Sequence, residues 1–361
     1  MVDQRKLPIE YSVEELDSEL VARAAQIPGK KLFKFKDKEG TPQRDCIVKQ
    51  LKEVHDPAAA PTPNKALSHI CTWDLIKTLI FKTGNTTLKY GRGIWYCDDR
   101  VDFYEIQDKQ VKKNANCVAA ICMEDTLLDT NRGFSLLKVK NFGKSFNLCD
   151  SEPFYHQPTA AGHMCTGFLV AEDVIATAAH FVNENNVTTL RIVFGYRMLD
   201  PCTPVTRIPN KDIYKGVKIV ERIYNRMGNK SDWALVKLNR NVKEKEKTIA
   251  VLSNKDISRH QPVYVIGHPC GLPLKYAPGA KVGDTRKVAY FGADLDIYSG
   301  NSGSPVFDQD THEVTGMVVR GDNRDFRWTG KGWVSVIYPN REIPSRGAQC
   351  TRASEFSRFC Q

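Results

Sequence analysis

The chain has 361 residues, of which 41% are hydrophobic and 26% charged, and it carries a formal net charge of +10. This length accommodates one domain of about 200 residues and a smaller companion, and no apolar run approaches the roughly 20 residues of a membrane-spanning helix. The positive charge is spread over several runs that match no nucleic-acid-binding motif, so neither a membrane protein nor a nucleic-acid-binding protein is expected.

The first 145 residues contain local structural signals but no motif of recognisable chemistry. A capping box at Ser12–Glu15 begins a predicted helix, which ends before Pro28. A proline- and alanine-rich stretch over 55–64 predicts a flexible link. We expect residues 1–90 to form a regulatory or partner-binding region, which acts either through a protein partner or as an inhibitory segment.

A buried hairpin is predicted in the middle of the chain. The apolar run from Gly167 to Ala176 turns at Glu172-Asp173 and closes with Thr177-Ala178-Ala179-His180. A histidine directly after a buried strand, beside small alanines, has a fixed position and room next to it. His180 is therefore a candidate base, and the alternative is a core histidine with satisfied hydrogen bonds.

An aspartate marks the beginning of a later apolar strand. Asp232 precedes Trp233-Ala234-Leu235-Val236, so its carboxylate lies at the mouth of a buried strand. Taken alone, such a residue is a turn or cap residue.

The hexapeptide Gly300-Asn301-Ser302-Gly303-Ser304-Pro305 presents one serine between two glycines. Glycine adopts backbone angles that side chains forbid, so the N–H groups of Gly300 and Ser302 can turn toward one point. That point is where an oxyanion would form. The alternative is a surface turn.

These three candidates occur in the order His180, Asp232, Ser302, which is the order of the chymotrypsin triad. Together with the segments Cys165–Val170 and Gly300–Phe307, they resemble the trypsin-like serine peptidases. The resemblance is strongest to the bacterial branch that includes the glutamyl endopeptidases and related trypsin-like peptidase domains.

The resemblance covers residues 146–345 and implies a mostly β fold. The expected architecture is two six-stranded antiparallel β-barrels of the chymotrypsin-like fold, over 146–245 and 246–345, with a smaller mixed α/β N-terminal extension. Residues 91–145 are then a segment that precedes the barrels and packs on them, and 346–361 are a C-terminal tail.

The resemblance also implies the roles of the site residues. Ser302 would be the nucleophile, His180 the general base and Asp232 the group that orients the imidazole, while the N–H groups of Gly300 and Ser302 would bind the oxyanion. The implied function is a serine endopeptidase acting on protein or peptide substrates. The alternatives are a catalytically inactive trypsin-like scaffold that binds a partner, and an esterase or acyltransferase, since the same triad serves any acyl transfer.

Cleavage after Arg or Lys is implied by the residues aligned with the substrate pocket. Asp296 stands six residues before the nucleophile, at the family's pocket floor, and Val319 and Gly321 lie on the strand that pairs with substrate. The histidine of glutamate-specific relatives is missing at Val318 and Val319. Asp296 could alternatively be a solvated loop carboxylate, and Arg320 would either repel a basic side chain or pair with Asp296.

Asn301 departs from the trypsin pattern, and His268 is a second histidine that could be considered as the base. Asn301 replaces the aspartate that binds a new N-terminus in trypsins, so activation through that ion pair is not expected. His268 lies in a turn between Gly267 and Pro269, where we expect a structural or substrate-loop role rather than a second base.

The 11 cysteines are odd in number, so at least one has no partner within the chain. Phe181 stands where trypsins have the cysteine that would pair with Cys165, which leaves Cys149–Cys165 and Cys350–Cys360 as candidate disulfides. With no secretory signal at the N-terminus, a cytoplasmic location is favoured over a secreted one. The Cys and His spacings fit no zinc site, and no metal or cofactor is expected.

Overall fold

The computed structural model describes residues 94–95, 98–225, 230–243, 247–321, 325–338 and 347–360. The predicted regulatory region at 1–90, with its helix and flexible link, lies outside the described residues. Within the part that is described, no helix is long and apolar enough to cross a membrane.

The first barrel is a closed antiparallel sheet of six strands. In chain order they are β1 (Val118–Met123), β2 (Met164–Ala171), β3 (Val174–Thr177), β4 (Leu190–Phe194), β5 (Ile213–Tyr224) and β6 (Asp232–Leu238). They pair around the barrel in the order β4, β5, β6, β3, β2, β1. The predicted hairpin is confirmed, because β2 and β3 pair antiparallel across Glu172-Asp173.

The second barrel has the same number of strands and also closes on itself. Its strands are β7 (Pro262–Gly267), β8 (Lys275–Asp284), β9 (Tyr290–Ala293), β10 (Pro305–Asp308), β11 (Val314–Arg320) and β12 (Ala348–Arg352). They run in the order β7, β10, β11, β12, β9, β8, and pairing of β7 with β8 closes the ring. The fold class predicted from the sequence is confirmed.

Two barrel strands lie outside the span of 146–345 to which the resemblance extends. Strand β1 lies within the segment expected to precede the barrels, and it fills the gap between β2 and β4. Strand β12 lies within the expected tail, and it pairs with both β9 and β11. Each completes a ring of strands, and without it two buried strands would have unpaired edges.

The remaining elements are short and lie around the barrels. The helices are α1 (Lys109–Asn114) and α2 (Phe142–Ser145). The short strands are Ile94–Trp95, Val101–Asp102, Leu127–Asp129, Phe134–Leu137, Val139–Asn141, Pro158–Ala160, Met198–Asp200, Thr203–Pro204, Arg207–Pro209, Phe326–Trp328, Trp333–Ser335 and Ile337–Tyr338. Helix α1 begins at Asp108, whose carboxylate accepts the N–H groups of Gln110 and Val111.

A buried ion pair fastens the segment before the first barrel to the second barrel. Strand Val101–Asp102 pairs antiparallel with the start of β8, and Lys275 Nζ donates to Asp102 Oδ1. Gln157 completes the group, accepting from Lys275 Nζ at 2.7 Å and donating to Asp102 Oδ2 at 2.7 Å. Burial lowers the pKa of Lys275, and the neighbouring Asp102 carboxylate, which raises it, offsets only part of that effect. The two charges depend on each other because both side chains are at most 1% exposed.

Replacing Lys275 with methionine should destabilise the protein by about 3–5 kcal/mol, because Asp102 would keep a buried charge without its cation. The matched control is Arg286→Met, which removes a guanidinium that is 75% exposed from its pair with Asp284. Because solvent screens that exposed pair, its loss should change the free energy of unfolding very little. Urea unfolding measures both, and equal losses would show that the Lys275 pair does not anchor the segment.

Candidate active site

The histidine and aspartate singled out in the sequence form a hydrogen-bonded pair. Asp232 is 1% exposed at the start of β6, and its Oδ1 accepts the backbone N–H of His180 at 3.1 Å. Its Oδ2 lies 3.0 Å from His180 Nδ1. A carboxylate that accepts a hydrogen bond from Nδ1–H selects the tautomer in which Nε2 is the base. The His180 side chain is 32% exposed, so the ring remains accessible.

The turn that carries His180 is held by an arginine from β5. Strand β3 ends at Thr177, and Ala178 and Ala179 follow, both fully buried. Arg222 donates from Nε to the carbonyl of Val182 at 2.7 Å and from its terminal Nη2 to the carbonyl of Ala179 at 3.0 Å. These bonds hold the backbone in place on both sides of His180. No motif in the sequence indicated this role for Arg222.

The loop that presents Ser302 is attached to the first barrel. The Thr166 N–H on β2 donates to the Ser302 carbonyl at 2.9 Å, and Thr166 Oγ1 donates to the Gly300 carbonyl at 2.9 Å. From the other side, the Gly303 N–H donates to the Val318 carbonyl on β11 at 2.7 Å. The loop that carries Ser302 is therefore fixed at the junction of the two barrels.

Both predicted glycines have left-handed backbone angles, which glycine adopts without strain. Gly300 has φ +92° and Gly303 has φ +85°. A Cβ at Gly300 would lie 2.7 Å from the His268 carbonyl, and one at Gly303 would lie 2.0 Å from the Thr166 carbonyl. Only glycine fits either position, for lack of space as well as for backbone angle.

Two N–H groups of this loop remain available for an oxyanion. The Asn301 N–H donates to the Tyr298 carbonyl at 3.2 Å and that of Gly303 is used by Val318. Within the described ranges, the N–H groups of Gly300 and Ser302 donate to no acceptor. Nor does any hydrogen bond there join Ser302 Oγ to the His180 ring, a contact that is often long in unliganded enzymes and shortens with substrate.

The side chain of Asn301 packs inside the second barrel. It is 3% exposed, and its Oδ1 accepts Ser304 Oγ–H at 3.1 Å. Gly267 on β7 makes room for this contact, because a Cβ there would lie 2.4 Å from Asn301 Oδ1. A neutral amide thus occupies the position that carries a carboxylate in trypsins.

Arg320 lies close to the Asp232 carboxylate. Its guanidinium nitrogen lies 3.6 Å from Asp232 Oδ2 and donates to the Lys230 carbonyl at 2.5 Å. The sequence left open whether Arg320 would repel a basic substrate or pair with Asp296, and the structure instead gives it Asp232. Of the other two predicted substrate-strand residues, Val319 is buried and Gly321 follows the end of β11.

Asp296 is not the solvated loop carboxylate that was one alternative for it, because it is only 3% exposed. It lies within electrostatic range of the buried Arg100. Arg100 itself forms two bonds of 2.8 Å with Asp98 and lies 4.0 Å from the centre of the Tyr298 ring. The segment before the first barrel therefore contributes a charge pair beside the predicted pocket floor.

His268 has a structural role, as expected. It is 1% exposed, its Nδ1 lies 3.1 Å from the Leu272 carbonyl, and its ring stacks on Tyr196 with centroids 5.7 Å apart. Burial lowers the pKa of His268 to about 4. Its backbone N–H donates to Thr166 Oγ1 at 3.1 Å, which links β7 to the hydroxyl that holds Gly300.

Neither candidate disulfide forms. Cys165, Cys350 and Cys360 carry free thiols. Cys350 lies in the core of the second barrel, and Cys360 packs against a different hydrophobic cluster that both barrels share. Cys165 Sγ faces the Ser302 carbonyl at 2.6 Å. Burial raises the pKa of Cys165 to about 12, so it is no rival nucleophile. Among the described residues, no cluster of His, Cys, Asp or Glu is arranged to hold a metal.

Two closed antiparallel barrels, with a histidine–aspartate pair and a glycine-bounded serine loop at their junction, define the chymotrypsin-like class of peptidase domains. Residues 165–317 match the family model described as the trypsin-like peptidase domain. A search of curated proteins found no match.

Solved structures with a similar fold have low sequence identity. The active form of the Rv3671c protease from M. tuberculosis is 13% identical, with a TM-score of 0.42, over 76% of this chain and 92% of that one. A Glu endopeptidase bound to MPD is 15% identical, with a TM-score of 0.42, over 73% and 94%. The scabies mite inactivated protease paralogue S-I1 is also 15% identical, with a TM-score of 0.42, over 73% and 96%.

Gly303→Ala should displace the serine loop and abolish turnover, because its Cβ would overlap the Thr166 carbonyl. The matched control is Gly195→Ala, since Gly195 has φ +84° and no atom within 4 Å of the added Cβ. The control should cost only about 1–2 kcal/mol of backbone strain. Urea unfolding and peptide hydrolysis compare the two. Full activity in Gly303→Ala would contradict the docking of this loop on β2.

Proposed function

We propose that the chain is a serine endopeptidase with Ser302 as nucleophile, His180 as general base and Asp232 as the residue that orients the base. The observation that carries the proposal is the buried Asp232 carboxylate, which holds both the backbone N–H and the ring of His180 at 3.0–3.1 Å. Thr166 on β2 binds the loop that carries Ser302. Strand β2 pairs with β3, the strand that leads to His180. The two unused N–H groups of that loop support the same assignment.

The proposed reaction proceeds through an acyl-enzyme. Ser302 Oγ attacks the scissile carbonyl while His180 Nε2 takes its proton, and the N–H groups of Gly300 and Ser302 stabilise the oxyanion. His180 gives the proton to the leaving amine. Water then attacks the ester, with His180 again as base, and the acid is released from Ser302. Asp232 keeps Nδ1 protonated and stabilises the imidazolium in both steps.

The extended strand β11 favours a peptide as the substrate of this acyl transfer. Strand β11 pairs with β12 as far as Arg320, which lies beside Asp232, whereas its pairing with β10 ends at Met317. An edge of backbone that continues to the site can add a substrate strand through main-chain hydrogen bonds.

The test is covalent labelling by a fluorophosphonate, which reacts only with an activated serine. The wild type should be labelled at Ser302, and Ser302→Ala should lose both label and peptide hydrolysis while keeping its unfolding free energy. The control is Ser258→Ala, which changes an exposed serine and should keep both the label and peptide hydrolysis. Asp232→Asn should retain the fold and lower kcat about 10⁴-fold, through loss of the correct tautomer.

An unlabelled Ser302 in a folded wild type would refute the enzyme assignment. It would support the alternative of an inactive scaffold that binds a partner. Labelling at a different serine would refute the assignment of the nucleophile.

The preference for Arg or Lys is part of the proposal, with Asp296 as the carboxylate that selects it. Two carboxylates, Asp98 and Asp296, face one guanidinium, that of Arg100. A carboxylate at the pocket floor favours a basic substrate side chain over an acidic one. Control through residues 1–90 also belongs to the proposal, because Asn301 offers no charge for activation by a new N-terminus.

Asp296→Asn should lower kcat/KM for peptides with Arg or Lys before the cut by about 10- to 100-fold, since a hydrogen bond to a charged group is lost. Peptides with Ala or Leu at that position serve as the control, and Asp296→Asn should cut them as efficiently as the wild type does. A panel of peptides that differ only at this residue measures the effect. A wild-type preference for acidic residues would contradict the role of Asp296.

A further inference from the structure

A cleft of about 720 Å³ opens beside the nucleophile loop and is not part of the site described above. Ser299 and Gly300 form one wall, so the cleft adjoins the N–H group proposed to bind the oxyanion. The cleft is also lined by large apolar side chains, namely Phe146, Met164, Phe326 and Trp333. A concave apolar surface next to reacting atoms is a place for part of a substrate.

The position of the cleft relative to Ser302 indicates which part of a substrate it would meet. Strand β11, along which the acyl part is expected to lie, contributes none of the lining residues, and neither do His180 and Asp232. The lining comes instead from Ser299, Gly300 and other segments, including residues 159–164, which lead into β2. The cleft therefore lies on the side of the leaving amine.

The aromatic lining is exposed yet firmly held. Phe146 is 37% and Trp333 is 38% exposed. Trp333 is fixed by its backbone, which donates to the Asn147 carbonyl at 3.0 Å and accepts the Cys149 N–H at 2.9 Å. The rings of Phe146 and Phe326 are 5.7 Å apart. A rigid apolar surface binds with less loss of side-chain entropy than a mobile one.

A carboxylate ties this aromatic wall to the nucleophile loop. Asp325, directly before Phe326, accepts the Ser299 N–H at 2.9 Å. Phe326 in turn packs on Tyr298 with ring centroids 4.9 Å apart. The distance between the aromatic wall and Gly300 is thus fixed by a hydrogen bond and by packing within the same short stretch of chain.

We propose that this cleft selects a large apolar or aromatic residue at the first or second position after the scissile bond, with Trp333 and Phe146 as the residues that determine the selection. The inference rests on the proposed peptidase function. Two extended residues span about 7 Å from the scissile carbonyl. The proposed preference therefore applies only to these two positions. The cleft would exclude water from the side chain it covers, which is the source of the preference.

Partitioning of the acyl-enzyme isolates the leaving side. After an ester substrate has acylated Ser302, an added amine competes with water. The amine nitrogen attacks the ester carbonyl, the new C–N bond forms as the bond to Ser302 Oγ breaks, and His180 passes the amine proton to that oxygen. Phenylalanine amide and glycine amide are the two acceptors, and the ratio of amide to acid is measured for each. The acyl part is the same in both.

The wild type should transfer to phenylalanine amide about 10-fold or more better than to glycine amide, as an apolar pocket discriminates a large side chain from none. Trp333→Ala and Phe146→Ala should each reduce this ratio toward 1, and Trp333→Phe should restore most of it. Hydrolysis of the ester in the absence of amine should stay within about twofold of wild type. Leu199→Ala, which removes a 52% exposed apolar residue that does not line the cleft, is the control and should leave the ratio unchanged.

Each outcome decides the proposal. Equal transfer to both acceptors by the wild type would overturn it while leaving the peptidase function intact, because ester hydrolysis proves the acyl-enzyme. A wild-type preference that neither alanine variant changes would also overturn it. Absence of ester hydrolysis and of Ser302 labelling would overturn both this inference and the proposed function. Loss of preference in both cleft variants, with ester hydrolysis retained, supports it.

Discussion

The structure depends most on one buried residue at the junction of the barrels, Thr166. Its N–H and hydroxyl donate to the carbonyls of Ser302 and Gly300, its hydroxyl oxygen accepts the N–H of His268, and its carbonyl accepts the hydroxyl of Thr177. Every polar group of this fully buried residue is thereby satisfied. Because Thr177 ends the strand that leads to His180, the same residue fixes the base-bearing turn and the serine loop with respect to each other.

Arginines supply a second set of constraints around the site. Arg222 closes the turn that bears His180, Arg320 lies beside the buried Asp232 carboxylate, and Arg100 lies near Asp296. A guanidinium carries five N–H donors in a planar arrangement, so one side chain can satisfy several carbonyls or a carboxylate at once. These residues come from three different segments, and the sequence around none of them indicates its partner. Only the pairing of the strands brings them to the site.

Local patterns predicted much of the fold and of the candidate site. The apolar run ending at His180, the strand beginning at Asp232 and the glycine-bounded loop at Ser302 each follow from side-chain periodicity or from glycine's backbone freedom, which are properties of a few adjacent residues. The membership of β1 and β12 in the barrels was not predicted. Ring closure pairs strands that are distant along the chain, and the apolar pattern of a strand does not specify its neighbours.

The sequence by itself determined the order of the three candidate catalytic residues, the need for glycine at 300 and 303, and the exchange of a carboxylate for the amide of Asn301. Tertiary structure decided which thiols stay apart, since Cys350 and Cys360 pack in different hydrophobic clusters, and which anion Arg320 meets. It also formed the aromatic cleft from segments almost two hundred residues apart. The physical reason is the range of the interactions: backbone angles and periodicity act within a few residues, whereas burial and charge pairing act between whichever side chains the closed barrels bring into contact.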